Sequence, residues 1–139
     1  MILLDTNVVS ELMRSNTDLQ VRKWLRLQNI EVLFLSSITI AEIYFGLNKL
    51  PDGRKKNLLQ ETFADLVLPS FQERILCFDE KAALSYGLLR ANARSNGYSV
   101  ATADGYIAAI AHSNKATVAT RDVSPFIFMG LKVVNPWKI

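Results

Sequence analysis

Apolar residues along this chain fall into two alternating arrangements. Short unbroken runs occur at Ile2–Leu4, Val32–Leu35, Ile75–Phe78, Thr117–Ala119 and Lys132–Val134. Runs of this kind suit strands buried on both faces. Between them, apolar residues recur every three or four positions, as on one face of a helix. Asp18–Gln28 places Val21, Trp24, Leu25 and Gln28 on one side. Ile38–Leu50 does so with Ile40, Ile43, Leu47 and Leu50, and Ser36 or Ser37 is expected to cap it. Arg54–Leu68 turns Leu58, Leu59, Thr62, Phe63 and Leu66 inward, and Pro69 is expected to end it. Glu80–Asn96 carries Ala83, Leu84, Leu88 and Ala91, with Gly97 as its stop. Asp104–Asn114 is the last clear helix.

The element order is therefore β-α-α-β-α-α-β-α-α-β-β. Such alternation predicts an α/β fold, a mostly parallel sheet covered by helices. Ligands in these sheets bind beyond the carboxyl ends of the strands, where strand order reverses. Asp5 ends the first strand and Asp122 follows the fourth, so the two meet at that edge if those strands are neighbours. Asp104 then enters from a helix N-terminus, and Glu42 from the first turns of the helix after the second strand.

These four acids stand in apolar or alanine-rich surroundings, where an isolated carboxylate is costly to bury. Each has an ordinary explanation. Asp5 can form an Asx-turn in Asp5-Thr-Asn7, Asp104 can favour a helix start, Glu42 can lie solvated beside Phe45, and Asp122 can initiate the turn to Pro125. Their shared placement at one edge is harder to explain that way. Gathered carboxylates must be relieved by protonation or by a cation, and the second route points to a divalent metal and phosphodiester chemistry. Thr6, Asn7 and Thr120 flank two of the acids and can support such a site by hydrogen bonding.

Composition narrows the classes. A chain of 139 residues fits one domain, here 1–139. Half of it is hydrophobic and the mean hydropathy is +0.15, which fits either a large core or a covered surface in a homodimer or obligate complex. One cysteine, Cys77, excludes a disulfide framework and a multi-cysteine zinc site, and its apolar run predicts a buried structural thiol. The lone His112 reads as structural, without a nearby Ser or Cys partner. There is neither a membrane span nor a signal peptide, so a cytoplasmic protein is expected. The net charge of +3 permits a nucleic-acid partner without establishing one. Arg54-Lys-Lys56 reads as a solvated cluster. Arg90 and Arg94 share a helix face leading toward Asp104 and are candidates for RNA-phosphate contact. Trp24 and Trp137 read as packing residues.

Other phosphate chemistries fit poorly. No Walker A loop occurs. A haloacid-dehalogenase-type phosphatase needs a second Asp where Asn7 stands, and a receiver domain leaves Glu42 and Asp104 unexplained. The blocks Leu4-Asp-Thr-Asn-Val-Val-Ser-Glu11, Ser37-Ile-Thr-Ile-Ala-Glu42, Ala103-Asp-Gly-Tyr-Ile-Ala-Ala109 and Ala119-Thr-Arg-Asp122 resemble the four motif blocks of PIN domains. More narrowly, the chain resembles VapC toxins of bacterial type II toxin–antitoxin pairs, in their FitB-like branch, which the ending Asn135-Pro-Trp137 also fits.

The resemblance implies a three-layer α/β/α sandwich with a five-stranded sheet. It implies a Mg2+- or Mn2+-dependent endoribonuclease in which Asp5, Glu42, Asp104 and Asp122 form the acidic quartet. On that resemblance one or two bound metals would polarise the scissile phosphate and acidify the attacking water, and Glu42 or Asp104 would accept its proton. The implied partners are an RNA substrate, a cognate antitoxin lying across the toxin near the pocket, a second copy of the chain, and operator DNA through the antitoxin alone. The competing expectation is a non-catalytic antitoxin-binding module of a repressor complex.

Overall fold

The computed structural model describes residues 1–139. Its centre is a sheet of five parallel strands in the order β3-β2-β1-β4-β5, formed by Ile2–Leu4 (β1), Leu33–Ser36 (β2), Ile75–Leu76 (β3), Thr117–Ala119 (β4) and Val133–Val134 (β5). The chain builds outward from β1 to β3, then crosses back and continues through β4 to β5. Strand order therefore reverses between β1 and β4, which pair Ile2 with Thr117 and Leu4 with Ala119.

Successive strand residues point to opposite faces, and the core divides accordingly. Leu3 and Val118 belong to one apolar cluster, whereas Leu4 and Ala119 belong to the other. The first cluster is roofed by Glu80–Ser95 (α6), Thr102–Ser113 (α7) and Ser124–Phe128 (α8). The second takes Val8 and Val9 of Thr6–Leu12 (α1), Trp24 of Leu19–Leu27 (α2), and Ile43 and Leu47 of Ser37–Asn48 (α3). Phe63 and Phe71 close it from the segment that begins with Arg54–Thr62 (α4) and ends with Leu68–Ser70 (α5).

The expected helices and strands form within a few residues of their sequence bounds. Asp18 caps α2 by accepting from Gln20 and Val21, and Ser36 caps α3 by accepting from Thr39 at 3.0 Å. Gly97 has φ +82, and Tyr98 N–H reaches back to the Ala93 carbonyl at 2.9 Å, which closes α6 as a left-handed cap does.

Four expectations need correction. Pro69 does not end its helix. The backbone widens by one residue per turn over Phe63–Val67, and Pro69 sits inside the following short turn, which ends at Phe71. The inward faces of two helices also differ. In α6 the buried residues are Ala82, Ser85, Leu89 and Ala93, while Leu84 is 80% exposed and Leu88 56%. Helix α7 presents Gly105 and a run of buried alanines, so close approach selects small side chains over large apolar ones. In the α4 segment only Phe63 is fully inserted, and Leu58 and Leu66 are exposed. Cys77 is exposed, because the edge strand β3 is over at Leu76. Finally, His112 does have a serine partner. Its Nδ1 lies 2.9 Å from the hydroxyl of Ser85. Ser85 is buried between helices and the imidazole is exposed, so the pair ties α6 to α7.

Candidate active site

The strand-order reversal leaves a crevice at the carboxyl ends of β1 and β4, and each strand delivers a polar residue there. Asp5 follows β1 and is 5% exposed. Its Oδ1 accepts from the Thr6 N–H at 2.8 Å, capping α1. Its Oδ2 accepts from the Thr120 hydroxyl at 2.8 Å. Thr120 follows β4 and is fully buried. The amide of Asn7 lies 3.3 Å from the same hydroxyl oxygen, and Asn7 Oδ1 accepts from Arg121 N–H at 3.2 Å. The turn role and the site role of Asp5 are therefore compatible. The cap orients one carboxylate oxygen, and Thr120 orients the other.

Glu42 enters from α3. Its Oε1 accepts from the Thr6 hydroxyl at 2.6 Å, and Thr6 Oγ1 lies 3.2 Å from the buried hydroxyl of Thr39. Asp104 is the third residue of α7, whose N-terminus has no side-chain cap. Asp122 is exposed at the end of the turn that Thr120 begins, and its N–H reaches Thr120 Oγ1 at 3.1 Å. The cavity itself is about 530 Å3. Asp5, Glu42 and Asp104 line it with Thr6 and Asn7, and Asp122 stands outside that wall.

The acids sense one another. Burial raises the Asp104 carboxyl to about 6, and repulsion from Asp5, Asp122 and Glu42 adds to it. A helix N-terminus favours the charged form of an acid, but here desolvation and three like charges outweigh it. Asp5 is also raised, chiefly by burial, against the lowering effect of its bonds to Thr120 and Thr6, with Glu42 and Asp122 contributing repulsion.

None of the four acids has a cationic partner. The ion pairs of the molecule are Arg14–Glu11 and Lys56–Asp52. An all-oxygen donor set with uncompensated negative charge fits a hard divalent cation. No three of these side chains are arranged to hold an ion among them. The spread agrees with their mutual repulsion. It also suits Mg2+, which keeps several waters and takes one or two carboxylates directly.

Ser10, Glu11, Arg14 and Arg121 of the cavity wall were not singled out from the sequence, and Trp137 was read there as a packing residue only. Glu11 is 5% exposed, accepts from Asp18 N–H at 2.7 Å and pairs with Arg14 at 3.3 Å, fixing the loop from α1 to α2. Its spacing to Arg14 is a helical i,i+3 pair, the one sequence signal available. Arg121 and Trp137 line the same wall, with the guanidinium 5.2 Å from the indole centroid. Arg90 instead stands over Tyr86 at 5.4 Å and donates to its hydroxyl at 3.0 Å. Arg94 is exposed farther along α6, and neither arginine of that pair lines the cavity.

A second, more apolar cavity of about 900 Å3 adjoins the first between α1, α3 and α4. It shares Thr6, Ser10, Arg14 and Glu42 with the acidic one, and Leu12, Leu47 and Leu59 contribute to its floor.

Residues 2–126 match the family model of the PIN domain. The chain is 46% identical to the VapC ribonuclease Y4jK of Sinorhizobium fredii over 138 residues, 99% of each protein. It is 46% identical to the toxin FitB of Neisseria gonorrhoeae over 137 residues, again 99% of each. The solved structure of FitAB bound to a DNA fragment superposes with a TM-score of 0.95 at 45% identity, covering 100% of this chain and 97% of that one.

Proposed function

Because the chain belongs to the PIN-domain family, in its VapC and FitB branch, we propose that it is a divalent-metal-dependent endoribonuclease and the toxin of a type II toxin–antitoxin pair. The observation that carries this reading is four carboxylates without a cationic partner, gathered where strand order reverses. The ribonuclease name of one relative and the toxin name of another support it.

Asp5, Glu42, Asp104 and Asp122 would hold Mg2+ or Mn2+, one or two of them directly and the others through the ion's waters. When bound, the cation would supply charge neutralisation at the scissile phosphate and a lowered pKa for the attacking water. The protein supplies orientation. Thr120 and the Thr6 N–H fix the two oxygens of Asp5, and the Thr6 hydroxyl fixes one oxygen of Glu42. Asn7 ties the β1 and β4 ends together through Thr120 and Arg121. The proton of the attacking water passes to a carboxylate of the wall, Glu42 or Asp104. Arg90 and Arg94 stand outside the cavity, Arg90 bonded to Tyr86, so any contact they make with RNA phosphate lies away from the cut.

The partner is an antitoxin with its own DNA-binding part. FitB is found with FitA on DNA, and the apolar cavity beside the acids is a groove for the antitoxin's chain. The whole of residues 1–139 acts as one domain in the cytoplasm, and a second copy covers part of the exposed apolar surface. No helix is long and apolar enough to cross a membrane.

The test is incubation of antitoxin-free protein with total RNA and Mg2+, with the cut ends mapped by sequencing. Cleavage that EDTA abolishes and that Asp5→Asn lacks is the expected result. Folded protein that binds antitoxin yet leaves RNA intact would overturn the nuclease reading in favour of a binding module.

A further inference from the structure

The acidic cavity contains a cation that avoids its acids. Arg121 lies between Thr120, which holds Asp5, and Asp122, and it lines the same wall as Asp5, Glu42 and Asp104. Opposite unit charges that share a cavity attract even through water. Yet Arg121 makes no ion pair with any of these carboxylates. Its guanidinium is instead laid over the ring of Trp137, 5.2 Å from the centroid. That stack is built from both sides. Asn7 Oδ1 accepts from the Arg121 N–H at 3.2 Å, and the Arg121 carbonyl lies 3.5 Å from Asn135 Nδ2. Asn135 also receives the Trp137 N–H at 2.9 Å, and the indole packs against the core cluster on that side of the sheet. An exposed arginine is thus kept from collapsing onto the carboxylates and held at the rim.

We propose that Arg121, held by Trp137, is the phosphate-positioning residue of the site, contacting a phosphate of single-stranded RNA next to the one that is cut. The inference rests on the nuclease reading. A polyanion approaching four carboxylates needs positive charge beside them as well as between them. Arg14, the other arginine of the wall, is committed to the buried Glu11. Arg90 is committed to Tyr86 and stands outside the wall. Arg121 alone lines the wall with an unpaired guanidinium. A planar guanidinium stacked on an aromatic ring keeps its outward N–H groups for bidentate binding of phosphate oxygens.

The experiment measures binding of a short fluorescein-labelled single-stranded RNA to the cleavage-silent Asp104→Asn protein across a salt series. Removing Arg121 in that background as Arg121→Ala should weaken binding roughly ten-fold or more, the loss of one charge-assisted contact. It should also make the salt slope shallower by roughly 0.7, one phosphate on a single strand. Thermal unfolding should stay unchanged, and Arg121→Lys should recover part of the affinity. Trp137→Phe should keep the stack and the affinity, whereas Trp137→Leu should match Arg121→Ala and add nothing to it in the double variant. An unchanged affinity and slope for Arg121→Ala overturns the proposal, as does a loss of affinity that tracks a loss of folding. A Trp137→Leu defect without an Arg121→Ala defect also overturns it, since the ring would then stack on a base itself. If the parent does not bind RNA and the native protein does not cut it, the nuclease reading fails together with this one.

Discussion

At the residue scale, burial and neighbouring charge push Asp5 and Asp104 toward the protonated form, and a cation is the other relief open to them. The four acids stood out in the sequence because a carboxylate in an apolar run is unexpected, and the fold brings Asp5, Glu42 and Asp104 to one wall. Glu11 and Arg121 were not, because charged residues on a helix flank or in a turn look the same whether solvated or built into a wall. Asp104 makes the choice measurable. Its pKa is raised to about 6 from an ordinary 3.8, so the folded protein binds a proton that the unfolded chain has released. A raised pKa contributes stability that is complete below about 4 and lost as pH rises through about 6. In EDTA, the thermal midpoint should therefore decline across that window. Asp104→Asn, which cannot ionise, should show a flatter profile and a higher midpoint than the native protein at neutral pH. A native profile as flat as the variant's would mean that the acids do not repel one another in solution. Excess Mg2+ should restore the native midpoint at neutral pH and leave the variant's nearly unmoved.

At the scale of elements, hydrophobic spacing located five helical segments but not the short α1 and α8, and it misjudged which faces of α6 and of the α4 segment turn inward. Spacing ranks residues by hydropathy, whereas the α6–α7 contact ranks them by size. Gly105 shows why. A Cβ built there lies 3.0 Å from the Tyr86 ring and 3.1 Å from Arg90 Cδ. Tyr86 cannot easily yield, because its ring sits 4.8 Å from that of Tyr106 and its hydroxyl holds Arg90. Replacing glycine by alanine inside a helix gains about 1 kcal/mol in propensity, while overpacking costs about 1–3 kcal/mol. Gly105→Ala should consequently be less stable by about 1 kcal/mol in urea unfolding, and less active, since Asp104 is the adjacent residue. Gly46 in α3 has no atom within 4 Å of such a Cβ. Gly46→Ala should gain about 1 kcal/mol. Opposite signs for two glycine-to-alanine changes in helices would separate packing from propensity; equal signs would contradict the close α6–α7 approach.

At the scale of the whole molecule, the α/β class followed from alternating elements, but strand order did not. That β1 and β4 are neighbours depends on pairing between distant segments, which no local pattern encodes. The toxin reading makes its own prediction at this scale. Expression of the chain alone should halt bacterial growth, and co-expression of a short reading frame beside its gene should restore it. Abundant soluble protein without growth arrest would argue for the binding module. The sheet order carries one more consequence. Asp5, Glu42 and Asp104 all precede β4 in the chain, but the hydroxyl that holds Asp5 belongs to Thr120, 115 residues away. The strand leading to it lies between β1 and β5, so without β4 the strand that carries Leu3 and Leu4 is left at an open edge. A chain ending at residue 115 should therefore have no nuclease activity and no cooperative unfolding transition, though it carries three of the four acids. On a ribosome the same dependence acts as a delay. On the nuclease reading, the nascent chain could cut no RNA until β4 had emerged and paired with β1, so the chemistry would wait for the sheet to close.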